Sequence, residues 1–181
     1  MTSYAIPGLS EQDCEALAKL LQVRLSAYND LHLTLKHVHW NVVGPNFIGV
    51  HEMIDPQVEL VRGYADEVAE RIAALGGSPK GTPAAIIEDR TWNDYSLGRD
   101  TVPAHLAALD LVYNGLVEDL RKAIETAGEV DPVTEDMLIS HAGELEKFQW
   151  FVRAHLENAG GQLANAGATN EQEAADSARD L

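Results

Sequence analysis

Leu17, Leu21, Leu25, Tyr28, Leu31 and Leu35 recur three or four residues apart, the spacing that lines one face of a helix with 3.6 residues per turn. The pattern returns three times. Ile54, Val58, Val61, Ala65, Val68 and Ile72 carry it next, then Leu106, Leu109, Tyr113, Leu116, Leu120 and Ile124. Met137, His141, Leu145, Phe148, Val152 and Leu156 carry it last. No segment of similar length alternates as a strand does. A helix with a single apolar stripe must bury it, and four such helices can bury theirs against one another. The chain is therefore expected to be all-α.

Local signals set the limits of these helices. Ser10 is an N-cap with Glu11 and Asp13 in the first turn behind it, where side-chain oxygens satisfy free backbone N–H groups. The first helix should end near Trp40, ahead of the breaker Gly44-Pro45. The second spans about Gly49 to Leu75, with Pro56 early, where a missing N–H costs least. The third starts near Asp100-Thr101. The fourth follows Asp131 as N-cap and Pro132 at the first position, and Gly160-Gly161 stops it. Residues 76–99 make a connection long enough to cross over between distant ends of a bundle, and "TPAAIIED" within it predicts a short extra helix. The order is that of a ferritin-like four-helix bundle. Residues 1–9 read as an N-terminal extension, 10–160 as the helical domain and 161–181 as a flexible acidic tail.

Thirteen basic residues face 29 acidic ones, a formal net charge of −16. Such a surface repels nucleic-acid phosphates and draws cations. No apolar run approaches the roughly 18 residues a membrane span needs, and "MTSYAIPGLSEQD" has no secretory-signal pattern, so a cytoplasmic location is expected. Cys14 stands alone and cannot form an internal disulfide; it reads as an inert helix residue.

The chemistry concentrates between residues 37 and 70. On the second helix His51 and Asp55 are four apart, as are Asp66 and Glu70, so each pair shares a face. At ~100° per residue Asp55 and Asp66 differ by only ~20° around the axis, yet at ~1.5 Å rise they stand roughly 16 Å apart along it. Metal–ligand bonds are only ~2.0–2.6 Å, so one ion cannot join both pairs within one helix. Two copies packed antiparallel across a two-fold axis bring His51 and Asp55 of one to Asp66 and Glu70 of the other, giving two sites per pair. Gly63, near the centre, would let the helices approach closely. His39 closes the first helix and could complete the set. Two imidazoles and three carboxylates suit ferrous iron, manganese or zinc. The spacing also fits a solvated acidic face and a buried hydrogen-bonded His39. Trp40 beside it reads as core or as a quencher of stray radicals. His32, His37, His105, His141 and His155 lack a matching acidic pattern and read as core or surface histidines.

The stretch "LHLTLKHVHWNVVGPNFIGVHEMIDPQVELVRGYADEVAERIAALG" resembles the signature of the Dps family of miniferritins, closest to the actinobacterial, mycobacterial type; the likeness runs over roughly residues 10–160. The resemblance implies a shell of twelve four-helix subunits, built from two-fold dimers, with a short helix in the second-to-third connection. It implies a ferroxidase centre of His39, His51 and Asp55 from one subunit with Asp66 and Glu70 from its neighbour, and Trp40 beside it. Fe(II) would be oxidised by hydrogen peroxide, or by dioxygen, and the ferric product stored. Acids near the start of the fourth helix line iron-entry pores in this family, which points to Asp136, with Asp131 and Glu135 behind it. Acids there also stabilise a helix N-terminus with no other task. In the alternative function, a nucleoid-associated Dps protein compacts DNA and iron oxidation is secondary. Family members that hold DNA do so with basic tails, whereas here Glu171, Glu173, Asp176 and Asp180 face Arg179 alone. A di-metal oxygenase within one bundle would call for Glu-x-x-His, but "ERIA" and "EKFQ" stand in those places.

Overall fold

The computed structural model describes residues 6–181; residues 1–5 of the expected N-terminal extension lie outside the described residues. Four long helices are present: α1 (Glu11–Asn41), α2 (Phe47–Ala74), α4 (Val102–Gly128) and α5 (Pro132–Ala154). The short α3 (Pro83–Asp89) forms where "TPAAIIED" predicts it. Two strands of two residues each, β1 (Val42–Val43) and β2 (Asp100–Thr101), pair in parallel, Val42 with Asp100 and Val43 with Thr101.

The helix limits follow the local chemistry. The Asp13 N–H donates to Ser10 Oγ at 3.1 Å, and the Ser10 hydroxyl donates to the Asp13 carboxylate at 2.6 Å, which closes the first turn of α1. At the end of α2 Gly76 takes φ 82°, and the Gly77 N–H donates to the Ile72 carbonyl at 2.9 Å, a glycine-dependent C-cap. The Asp131 carboxylate accepts from the Thr134 N–H at 3.1 Å and the Thr134 hydroxyl at 2.5 Å, and it pairs with Arg71.

The contacts divide the chain into two compact units, whose limits fall within α1, α2, α4 and α5. The first comprises residues up to Leu33, Glu59–Asn93 and Asp119–Ala142. Its buried residues include Leu17, Leu21, Leu25 and Tyr28 from α1, Val61, Val68 and Ile72 from α2, Leu120 from α4 and Leu138 from α5. The second comprises Thr34–Val58, Asp94–Glu118 and Gly143–Leu181. There Leu35, Val50, Ile54, Leu106, Leu109, Tyr113, Leu145 and Val152 are buried. Each such side chain contributes about 1.5–3 kcal/mol relative to exposure. Inside the second core the Tyr113 hydroxyl donates to the Gln57 amide oxygen at 2.5 Å, which satisfies two polar groups that would be costly unpaired.

The end of the chain corrects the expectation of a flexible tail. Residues 171–178 form α6 (Glu171–Ala178), capped by Asn170, whose side chain accepts from the Glu173 N–H. Ala174, Ala175 and Ala178 are fully buried, and Ala175 packs with Leu97, Ala104 and Ala108, flanked by Tyr95. Three of the four acids that suggested disorder are engaged: Glu171 accepts from the Ser96 N–H and hydroxyl, Glu173 from the Thr169 N–H and hydroxyl, and Asp176 pairs with Arg179, which also pairs with Asp100. Three alanines make one small apolar face, which a count of charges overlooks.

Burial alone would raise the Asp131 carboxyl, but the hydrogen bonds from Thr134 and Arg71 outweigh it and hold that group below the usual carboxylate range. A group with a depressed folded pKa stabilises above its unfolded pKa and loses that contribution as pH falls through the folded value. Asp131→Ala is expected to lower stability by about 2 kcal/mol at neutral pH through loss of cap and pair. Urea unfolding should show the gap between native and variant closing in acid below the ordinary carboxylate range; a gap independent of pH would contradict the pairing.

Candidate metal centre

The end of α1 and the start of α2 bring His39, His51 and Asp55 together within the second unit. Each histidine bonds the other's backbone: His39 Nδ1 lies 3.0 Å from the His51 carbonyl, and His51 Nδ1 lies 3.0 Å from the His39 carbonyl. A carbonyl only accepts, so both Nδ1 atoms carry hydrogen and donate. In the neutral rings Nε2 then holds the lone pair on each. Backbone carbonyls orient metal-binding histidines in this way, fixing tautomer and ring plane. The rings stack with centroids 3.6 Å apart, and Phe47 lies against His51 at 5.0 Å. His39 is 7% exposed.

Asp55 is exposed and faces this pair, its Oδ1 3.3 Å from His39 Nδ1. Lys36 donates to the same oxygen at 3.1 Å and lies over the Trp40 ring at 5.8 Å. That hydrogen bond, ahead of the field of His39, holds the Asp55 carboxyl below its ordinary range. Trp40 itself is 72% exposed, so of its two readings the core one does not hold in this chain. Lys36 escaped the sequence reading; its signal, a cation three residues before His39 and four before Trp40, is common on helix surfaces.

Asp66 and Glu70 lie in the first unit on the exposed side of α2, and no hydrogen bond or ion pair among the described residues engages either carboxylate. A Cβ placed on the neighbouring Gly63 would meet no atom within 4 Å. Among the described residues no group of three or more His, Cys, Asp or Glu is disposed to hold a metal ion. Of the three acids read as pore candidates, Asp136 is exposed. Asp131 is 5% exposed and serves as cap and ion-pair partner rather than facing solvent. The Glu135 carboxylate folds back so far over Gly128 that a Cβ there would come within 2.7 Å of it. His141 and His105 are core residues with hydrogen-bonded rings.

A family model described as a ferritin-like domain matches residues 18–160. The DNA protection during starvation protein of Mycolicibacterium smegmatis is 75% identical over 179 residues, covering 99% of this chain and 98% of that protein. The solved structure of Mycobacterium smegmatis Dps superposes with a TM-score of 0.92 at 76% identity, over 93% of this chain and 97% of that one. The chain belongs to the Dps proteins of the ferritin-like family. DpsA14 from Streptomyces coelicolor is similar as well, with a TM-score of 0.88 at 62% identity over 90% of this chain and 96% of that one. The Dps fold is thus a ferritin-like one, and the helices deduced from the apolar stripes are its helices.

Lys36→Met removes the positive charge beside Asp55 and keeps a side chain over Trp40. The Asp55 carboxyl is expected to rise toward its ordinary range, read from its side-chain carbon shift in an NMR pH titration. An unmoved midpoint would contradict the pairing.

Proposed function

We propose that this Dps-family chain is a ferroxidase and iron store that oxidises Fe(II) with hydrogen peroxide, or dioxygen, and holds the ferric product inside a dodecameric shell built from two-fold dimers in the cytoplasm. The observation that carries this reading is the exchanged hydrogen bond of His39 and His51, which leaves both Nε2 lone pairs available for a cation.

Ferrous iron is the substrate. His39 and His51 would hold it through Nε2, and Asp55 would take it in exchange for Lys36, whose departure keeps the local charge balanced. Asp66 and Glu70 of a second copy supply the remaining carboxylates. Their oxygen atoms favour the ferric product, which carries more positive charge. Two ferrous ions give two electrons to one peroxide, and with two protons that yields two waters rather than a hydroxyl radical. Trp40, beside His39, would intercept radicals that escape. Asp136 is the acid best placed to draw cations at the start of α5.

The relative in Mycolicibacterium smegmatis bears a name that speaks of DNA protection. Here the charge of −16 and the engaged acids of α6 favour protection by removing iron and peroxide over compaction by contact. Asp66→Ala with Glu70→Ala is expected to slow formation of the ferric absorbance from Fe(II) and peroxide roughly 10–100-fold or more, as removal of ligand-shell groups does elsewhere. An unchanged rate in stopped-flow measurements would remove both residues from the site.

A further inference from the structure

Within the first unit, Tyr28, His141 and Glu67 form a hydrogen-bonded line that iron binding does not use. Tyr28 is fully buried and His141 is 1% exposed, while the Glu67 side chain is 58% exposed. The Tyr28 hydroxyl lies 3.2 Å from His141 Nδ1, and His141 Nε2 lies 3.0 Å from the Glu67 carboxylate. An ionised carboxylate only accepts, so Nε2 carries the hydrogen. Nδ1 is then a lone pair and accepts from the phenol. Tyr64 stacks on the imidazole at 3.8 Å, with its ring 5.8 Å from that of Tyr28. The buried Arg24 adds positive charge beside Tyr28.

We propose that Tyr28 is a redox-active tyrosine that gives one electron to an oxidising radical while its phenolic proton moves to Nδ1 of His141. With a hydroxyl radical as oxidant, the O–H bond of Tyr28 breaks and an N–H bond forms on His141. The radical becomes hydroxide, Tyr28 a neutral phenoxyl and His141 an imidazolium. The Glu67 carboxylate, 3.0 Å from Nε2, keeps its hydrogen bond to the imidazolium throughout. A ferrous ion then returns the electron and His141 the proton, leaving Fe(III) and the phenol. This return half rests on the ferroxidase reading; the oxidation half does not.

Two features single out Tyr28. Burial pushes its phenol far above the ordinary range, so the phenolate is inaccessible and electron loss must accompany proton loss to a neighbour already in contact. Burial also lowers His141, against the pull of Glu67, so the ring rests neutral with Nδ1 open. Tyr95 provides the contrast. Its hydroxyl meets His105 Nδ1 at 2.9 Å, but His105 Nε2 is buried without a hydrogen-bond partner, so an imidazolium there would lack a bonded counter-charge.

The test uses the full-length protein with ring-deuterated tyrosine, in two arms. Iron-free protein is exposed to azidyl radicals from pulse radiolysis, and a second sample receives Fe(II) and peroxide; both are freeze-quenched for electron paramagnetic resonance. The expected result is a tyrosyl signal in the native protein that is lost in Tyr28→Phe, which removes only an oxygen, and kept in Tyr95→Phe. Glu67→Gln should shorten the radical's lifetime, and His141→Leu should shift the high-field spectrum, because leucine has no donor to hydrogen-bond the phenoxyl. A signal that survives in Tyr28→Phe, or an unchanged spectrum in His141→Leu, would overturn the assignment. A Tyr28 signal from azidyl radicals with no iron oxidation in the second arm would uphold the tyrosine and overturn the ferroxidase reading.

Discussion

An α-helix rises ~1.5 Å per residue and a metal–ligand bond is little more than ~2 Å long. The proposed centre depends on the mismatch of these two lengths. Asp55 and Asp66 share a helix and a direction but not a height. Any ion bound by both pairs of α2 therefore needs a second α2, and assembly becomes a condition of chemistry. The unengaged Asp66 and Glu70 and the open surface at Gly63 are what one half of such a junction would present.

On the other half of the proposed centre, the two imidazoles are already ordered. His39 and His51 lie at the two ends of a short turn and donate to each other's carbonyls. Rotating either ring would cost a hydrogen bond, so neither is free to fold away. Lys36 holds the Asp55 carboxyl below its ordinary range, and in the proposed site it is the cation that an incoming metal would replace. In the proposed centre, rigid imidazoles and a carboxylate on an exchangeable partner would divide the work of affinity and access. The Tyr28 line follows the same logic in a different place: a proton acceptor is fixed in contact before the electron leaves.

What the sequence revealed depends on the range of each interaction. The four long helices were legible because their apolar stripes repeat locally, and Ser10, Asp131 and Pro132 marked their ends. Residues 161–181 were misread, since the face of Ala174, Ala175 and Ala178 is too small to outweigh the acids around it, and its partners Leu97 and Ala104 are distant in sequence. Asp131 illustrates a residue with two sequence readings, cap and pore, of which the structure displays the cap. The hydrogen bonds of His39 and His51 were invisible because they join side chains to backbone carbonyls, which carry no residue signature. Tyr28 and His141 stand 113 positions apart, beyond any periodicity.

Complementation tests the shared pocket most directly. One variant carries His51→Ala and Asp55→Ala, the other Asp66→Ala and Glu70→Ala; each alone should fail to oxidise iron. Randomly mixed in equal amounts and reassembled, half of the two-fold pairs are hybrids with one intact site of two, so activity should return to about a quarter of the native level. If the mixture stays as inactive as its components, the pocket is not built from two chains.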